Sequence, residues 1–315
     1  MRDIRIVFMG TPEFAVSILK KIVDNQYNVV GVITAPDKPA GRGKKIHQSA
    51  VKKFALENNL NVLQPTNLKS EDFTKELKKL NANLQVVVAF RMLPKSVWQM
   101  PEFGTFNLHA SLLPEYRGAA PINWAIINGE TKTGVTTFFI DEKIDTGEII
   151  LQKECEISKS ENVGNLHDKL MHLGSKLVVK TIKKIQNNNI KTKAQPKREH
   201  KKAPKIYKET CKINWNDNLD NIYNKVRGLS PYPVAWTVLH NGEHKTELKI
   251  YASKKEIEKH SLSIGTIMHS KKELKIATKE GFLIIEELQI SGKRRMDVKS
   301  FLNGFQFNKA NIYVQ

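Results

Sequence analysis

The stretch that decides the fold is the opening one, Ile4-Arg-Ile-Val-Phe-Met-Gly10-Thr-Pro-Glu13, which continues in a helical pattern to about Val23. An apolar run that ends at a glycine, with a proline close to the start of a helix, predicts a strand, a turn and a helix. Pro12 and Ala15 stand where a dinucleotide-binding G-x-G-x-x-G motif has its second and third glycines. We therefore do not expect NAD as a ligand.

The same alternation of strand and helix fills the first part of the chain. Buried or alternating strands are predicted at residues 29–34, 84–90, 105–109 and 133–140. Helices are predicted at residues 49–58, 70–80 and 164–185. Strands that alternate with helices predict an α/β domain with a doubly wound, mostly parallel, Rossmann-like sheet.

The last part of the chain has a different pattern. A helix near residues 218–227 precedes five short strands, at residues 235–240, 247–252, 265–269, 274–278 and 282–288. Short strands separated by turn signals predict a small closed OB-like β-barrel. Residues 191–208 contain eight Lys and Arg but one acidic residue. We therefore predict domains at 1–190 and 209–315, joined by a basic linker at 191–208.

Composition limits the classes of function. The 315 residues carry a formal net charge of +19, which suggests a polyanionic partner such as nucleic acid. A Lys- and Asn-rich composition is also what an AT-rich genome produces, so the charge alone leaves both explanations open. Two cysteines without a CxxC spacing predict neither a zinc site nor a disulfide framework. The absence of a signal-peptide pattern and of a long apolar span predicts a cytoplasmic protein that does not cross a membrane.

The functional signal lies in Asn107-Leu-His109-Ala-Ser111-Leu-Leu-Pro114-Glu-Tyr-Arg-Gly118-Ala-Ala-Pro121. Alternate residues of a strand face the same side, so Asn107 and His109 should point at one place, with Leu108 in the core. An amide donates hydrogen bonds to a developing oxyanion, and an imidazole carries a proton near neutral pH. The pair suits transfer of an acyl group to an amine. A buried polar pair that closes a strand end is the structural alternative.

This segment resembles the active-site signature of the folate-dependent formyltransferases, and the resemblance extends over most of the chain. It implies transfer of a formyl group from 10-formyltetrahydrofolate to the α-amino group of methionine on initiator tRNA, by a monomer and without a metal. It also implies that Asp145, which precedes Thr146-Gly147, is the third catalytic residue beside Asn107 and His109. Arg91 and Lys143 depart from the family, which often has glycine at both positions.

The resemblance also assigns binding residues. Those implied for folate are Phe90, Met92, Ser111, Leu112, Leu113 and Pro114. The basic loop at residues 36–45 would enter the acceptor stem of the tRNA, and further contacts would lie in the barrel. The residues implied for tRNA are Arg42, Lys44, Lys45, Lys293 and Arg294. An arginine can stack on a base and bond to it, while lysines suit phosphates.

Two alternatives remain from the sequence. One is a formyltransferase of the same family that acts on a sugar nucleotide or on an amine of purine synthesis. The basic loop and the net charge of +19 speak against such a small acceptor. The other is an RNA-binding protein without catalytic activity. Nothing structural requires Asn107, His109 and Asp145 together, so their presence argues against a lost activity.

Overall fold

The computed structural model of the chain describes residues 1–40, 45–307 and 312–315. Two units are distinguished by their internal packing. One comprises residues 1–118, 133–155 and 167–202, and the other comprises residues 119–132, 156–166 and 203–315. The predicted domains at 1–190 and 209–315 and the predicted linker at 191–208 stay predictions.

The first unit contains a seven-stranded sheet and several short strands. Strands that lie wholly or partly in it are β1 (Arg5–Gly10), β2 (Asn28–Ile33), β3 (Lys38–Ala40), β4 (Lys45–His47), β5 (Val62–Leu63), β6 (Leu84–Val88), β7 (Thr105–His109), β8 (Arg117–Gly118), β9 (Lys132–Phe139), β10 (Ile149–Glu156) and β11 (Lys202–Ala203). The order in the sheet is β10-β9-β7-β6-β1-β2-β5. All pairs from β7 to β5 are parallel, whereas β9 runs antiparallel to β7. The predicted mostly parallel α/β sheet is confirmed.

The helices of this unit are α1 (Glu13–Asp24), α2 (Ala50–Glu57), α3 (Glu71–Lys79), α4 (Lys95–Trp98) and most of α6 (Val163–Gln186). Two of them, α2 and α3, begin at a serine side-chain cap. The Ser49 hydroxyl accepts from the Lys52 amide at 3.0 Å, and Ser70 caps α3 in the same way. Gly10 lets α1 approach the sheet, because a Cβ there would lie 2.6 Å from the Cβ of Ala15. This glycine therefore serves helix–strand packing.

The strand order fixes where a ligand can bind. From β1 the chain builds the sheet in one direction through β2 and β5, and then crosses to β6 on the other side of β1. Open α/β sheets bind ligands beyond the carboxyl ends of the strands at such a switch point. The carboxyl ends of β6 and β7 are Val88 and His109, and they lie at that edge.

The second unit is built on an antiparallel barrel. Its helices are α5 (Pro121–Ile127), α7 (Leu219–Leu229) and α8 (Val298–Gly304), and its strands are β12 (Ala235–Asn241), β13 (His244–Ile257), β14 (Ile267–His269), β15 (Leu274–Ala277), β16 (Gly281–Ile290), β17 (Met296–Asp297) and β18 (Ile312–Val314). The strand order is β14-β15-β16-β13-β12-β18. Thr266 pairs with Tyr313, and the Val314 amide donates to the Gly265 carbonyl at 2.9 Å. These contacts join the first strand to the last, so the predicted small closed barrel is confirmed.

Candidate active site

Strand β7 presents Asn107 and His109 on one face. Leu108 points the other way and is 3% exposed, against α6, where a Cβ on Gly174 would lie 2.7 Å from it. The imidazole of His109 is also buried, with 6% of the residue exposed. Among the described residues, no donor reaches the buried Oδ1 atom of Asn107. A buried acceptor without a partner is costly, so this oxygen is suited to a donor brought by a ligand.

The His109 ring is held by a backbone carbonyl. Its Nε2 atom lies 2.8 Å from the carbonyl oxygen of Tyr116. A carbonyl can only accept, so Nε2 carries the proton and the lone pair of the neutral ring is on Nδ1. Nδ1 lies 3.8 Å from Oδ2 of Asp145. In a Ser-His-Asp triad the carboxylate accepts directly from Nδ1, whereas here the carboxylate faces Nδ1 beyond hydrogen-bond distance.

Asp145 sits in a tight turn that is fixed from two sides. Its φ of 55° places it in the left-handed region, which a short polar residue tolerates. Its Oδ2 accepts from the Gly118 amide at 2.9 Å, and its side chain is 13% exposed. A Cβ at Gly147 would lie 1.7 Å from the Phe139 carbonyl oxygen, so only glycine fits there. The turn thus aims the carboxylate at His109.

Gln195 braces this turn, and the sequence reasoning missed it. Its Nε2 atom donates to the carbonyl oxygens of Asp145 and Gly147, at 2.9 and 2.8 Å. Its Oε1 atom accepts from Nε and Nη2 of Arg117, at 3.1 and 2.5 Å. Gln195 lies within the segment that we predicted to be a basic linker. A single glutamine among lysines gives no sequence signal for such a role.

The loop between His109 and Tyr116 is held by strand β9. The Thr136 hydroxyl donates to the Ser111 carbonyl at 2.6 Å and accepts from the Leu113 amide at 3.1 Å. Thr136 lies opposite His109 in the register of β7 and β9. Gln152 adds a hydrogen bond to the Leu113 carbonyl at 3.0 Å. This network fixes the loop that carries the Tyr116 carbonyl.

The residues predicted to bind folate differ in how far they are buried. Ser111, Leu113 and Pro114 are buried, and Leu113 packs with Phe138 and Ile149. Leu112 is half-buried. Their contact with folate stays a prediction.

The other two predicted folate residues, Phe90 and Met92, follow β6, and Met92 is 69% exposed. Between them, Arg91 donates to the carbonyl oxygens of Thr66 and Pro65, at 3.1 and 2.7 Å. Arg91 stands where the family often has glycine, and its guanidinium ties this loop to the loop before α3.

The residues predicted to bind tRNA are only partly described. Arg42 and Lys44 lie outside the described residues, and Lys45 begins β4. Lys293 and Arg294 are exposed in the turn after β16 and line a cavity of about 510 Å³ with Phe301. Within residues 1–40, 45–307 and 312–315, no three His, Cys, Asp or Glu side chains are grouped to hold a metal ion. No helix of these ranges is long and apolar enough to span a membrane.

Comparison with known proteins identifies the family. Residues 4–182 match the family model described as formyl transferase, and residues 205–306 match the one described as formyl transferase, C-terminal domain. The chain therefore belongs to the formyltransferase family. A methionyl-tRNA formyltransferase of Flavobacterium johnsoniae is 60% identical over 315 residues, covering 99% of this chain and all of that protein. That of Bacteroides thetaiotaomicron is 53% identical, covering 97% of both chains.

Solved structures agree on the fold. The sugar 3N-formyl transferase WlaRD, crystallised in the presence of dTDP and 5-N-formyl-THF, superposes with a TM-score of 0.63 at 23% identity, covering 93% of this chain and 100% of that chain. HypX from Aquifex aeolicus in complex with tetrahydrofolic acid gives a TM-score of 0.63 at 16% identity, covering 99% of this chain but 51% of that chain. Identities this low show a shared fold alone.

Proposed function

We propose that this protein transfers the formyl group of 10-formyltetrahydrofolate to the α-amino group of methionine on initiator tRNA, for translation initiation. The observation that carries the chemistry is the buried amide oxygen of Asn107, which has no donor among the described residues, beside a His109 ring that faces Asp145. The choice of acceptor is supported by relatives named methionyl-tRNA formyltransferase at 53–60% identity over nearly the whole chain.

The proposed reaction is a direct transfer. The amine nitrogen attacks the formyl carbon, and the carbonyl electron pair moves to the oxygen to form a tetrahedral oxyanion. The oxyanion then collapses, the bond from carbon to N10 of the folate breaks, and N10 takes up a proton. The amine loses one proton and the leaving nitrogen gains one, so no further reactant is needed.

In our proposal the Asn107 amide bonds both to the oxyanion and to the attacking amine. Its Nδ2 group donates to the oxyanion, and loss of one such donor typically lowers the rate by about 100- to 1000-fold. Its Oδ1 atom has no donor among the described residues, so it can accept an N–H of the incoming amine. An acceptor there turns the nitrogen lone pair towards the formyl carbon.

His109 carries the proton. Because Nε2 donates to the Tyr116 carbonyl, Nδ1 is the atom that accepts a proton from the attacking amine. It then returns the proton to N10 of the leaving folate. The Asp145 carboxylate, 3.8 Å from Nδ1, stabilises the charged ring. A well-placed general base contributes roughly 100- to 10,000-fold in rate.

The acceptor is bound by charge in this proposal. The chain has a net charge of +19, and Lys293 and Arg294 are exposed. We propose that they contact tRNA phosphates, and that Arg42, Lys44 and Lys45 enter the acceptor stem. Binding of this kind weakens steeply with salt, because each neutralised phosphate releases counterion. We also propose a cytoplasmic monomer, and two cysteines without a CxxC spacing fit a reducing compartment.

The test is a formyl-transfer assay with labelled 10-formyltetrahydrofolate and three acceptors. These are initiator tRNA charged with methionine, elongator tRNA charged with methionine, and a dTDP-linked amino sugar. We expect rapid formylation of the charged initiator tRNA alone. Formylation of the amino sugar without the tRNA would replace this proposal with the sugar-nucleotide alternative. Binding of tRNA without transfer to any acceptor would favour the non-catalytic RNA-binding alternative.

A further inference from the structure

Residues 193–202 lie within the segment predicted to be a basic linker and are bound along the candidate site; we call them the strap. At its beginning, Lys193 forms an antiparallel bridge with Ile149, and both backbone hydrogen bonds of this bridge measure 2.9 Å. Near its end, the Lys201 carbonyl accepts from the Tyr116 amide at 2.6 Å. The strap therefore runs from strand β10 to the residue whose carbonyl holds the imidazole of the candidate site.

Tyr116 has a backbone conformation that needs support. Its φ of 61° lies in the left-handed region, which is unfavourable for a residue with a Cβ. The residue is 4% exposed, and its carbonyl oxygen lies 2.8 Å from Nε2 of His109. A change in the backbone angles of Tyr116 would turn this carbonyl away from the ring. Groups that hold Tyr116 in the left-handed region therefore also hold the hydrogen bond to the histidine.

Glu115 joins the strap to Tyr116. Its Oε2 atom accepts from the Lys201 amide at 2.9 Å, and its Oε1 atom accepts from Nη2 of Arg198 at 3.2 Å. Lys201 thus donates to the side chain of Glu115 and accepts from the amide of the next residue. The Arg198 side chain is 65% exposed, so water screens its ion pair. The hydrogen bond from the Lys201 amide therefore carries more of the attachment.

The neutral His109 ring has one proton, and two acceptors compete for it. The Tyr116 carbonyl oxygen lies 2.8 Å from Nε2, whereas the nearer carboxylate oxygen of Asp145 lies 3.8 Å from Nδ1. A proton on Nε2 leaves a lone pair on Nδ1, which the proposed mechanism needs to accept a proton from the amine. If the carbonyl moved away, the carboxylate would draw the proton to Nδ1, and this lone pair would be lost.

We propose that the strap selects the tautomer of His109 and that Glu115 is a positioning residue for this purpose. The ring nitrogen that carries the proton is set by the hydrogen bonds that the ring makes. Glu115 acts on these bonds through Lys201 and Tyr116, and not on the reacting atoms. The expected effect on the rate rests on the proposed function, whereas the tautomer is a property of the chain alone.

The test combines the formylation rate with the protonation of the His109 ring, both in the full chain. Nitrogen-15 NMR of histidine-labelled protein at about pH 9, where an ordinary imidazole is neutral, distinguishes a proton on Nε2 from one on Nδ1. The spectrum of His109→Ala identifies the signal. We expect the proton on Nε2 in the wild-type chain and a substantial Nδ1–H population in Glu115→Ala. The single-turnover rate of this variant should fall by about 2- to 12-fold, the range for one hydrogen bond, with unchanged KM for both substrates.

Conservative variants separate positioning from a general loss of structure. Glu115→Gln keeps an oxygen that can accept from the Lys201 amide, so it should retain most of the rate and the Nε2–H tautomer. Arg198→Ala removes only the exposed ion pair and should do the same. Glu102→Ala is the matched control, because Glu102 is an exposed glutamate of the same unit. If Glu115→Ala does not fold, Glu115→Asp takes its place, since its shorter carboxylate reaches less far towards the strap and should shift rate and tautomer in the same direction.

A wild-type tautomer in Glu115→Ala would overturn the inference whether or not the rate falls, because the residue would then act by another route. A changed tautomer with an unchanged rate would remove Glu115 from the control of catalysis. A wild-type chain with the proton on Nδ1 would contradict the selection itself. A chain that formylates no charged tRNA would instead contradict the proposed function, and the NMR comparison alone would then decide whether the strap selects the tautomer.

Discussion

Replacement of Gln195 by alanine tests how much of the catalytic rate depends on the turn that carries Asp145. The change removes the two hydrogen bonds to the Asp145 and Gly147 carbonyls, at 2.9 and 2.8 Å. Each is worth about 0.5–1.5 kcal/mol, so the turn loses about 1–3 kcal/mol of constraint. If all of this is expressed in the transition state, kcat falls by about 5- to 150-fold. Gln195 touches neither His109 nor the reacting atoms in our account, so it is a positioning residue.

The assay is single-turnover formylation at saturating tRNA and donor, together with KM for each substrate. We expect a lower kcat with little change in either KM. Gln195→Glu keeps an acceptor for Arg117 but has no N–H for the two carbonyls, so it should lose at least as much rate. Gln99→Ala is the control, because Gln99 is exposed in the same unit. A wild-type kcat in Gln195→Ala, or a restored kcat in Gln195→Glu, would contradict the positioning role of Gln195.

Three further substitutions address the roles of site residues. Asn107→Ala should lower kcat by about 100- to 1000-fold with unchanged tRNA affinity in filter binding, and Asn107→Asp should not restore the rate, because it lacks the N–H donors. Asp145→Asn keeps an acceptor for the Gly118 amide but removes the negative charge 3.8 Å from Nδ1 of His109. We expect the rate to fall by up to about 1000-fold. A rate within twofold of wild type would contradict the electrostatic role. Arg42→Ala should lower the ratio of initiator to elongator formylation while folate binding is unchanged, and an unaltered ratio would remove the basic loop from tRNA selection.

Much of the fold could be predicted from the sequence, because its strands and helices carry strong periodic patterns. Strand β7 (Thr105–His109) has the predicted bounds, and α6 (Val163–Gln186) differs by a residue at each end. The sequence did not predict that residues 119–132 and 156–166 belong to the second unit. Their partners lie far along the chain, such as Gly228, whose carbonyl accepts from Asn123. Periodicity reports which face of an element is buried but not which partner buries it.

The catalytic side chains of the candidate site could be predicted from the sequence, but the groups that position them could not. Asn107 and His109 follow from the two-residue period of a strand, and Asp145 followed from the family resemblance. The Tyr116 carbonyl that fixes the His109 proton is a backbone group, which has no signature in sequence. Gln195 acts across 50 residues on the Asp145 turn, a distance that no local pattern spans.

The most direct test of the account is the single-turnover rate of His109→Ala with 10-formyltetrahydrofolate and initiator tRNA charged with methionine. We expect a loss of about 100- to 10,000-fold with wild-type affinity for both substrates. His167→Ala serves as the control, because His167 is partly exposed on α6 and pairs with Asp168. A His109→Ala variant that formylates the charged initiator tRNA at the wild-type rate would contradict the assignment of this site.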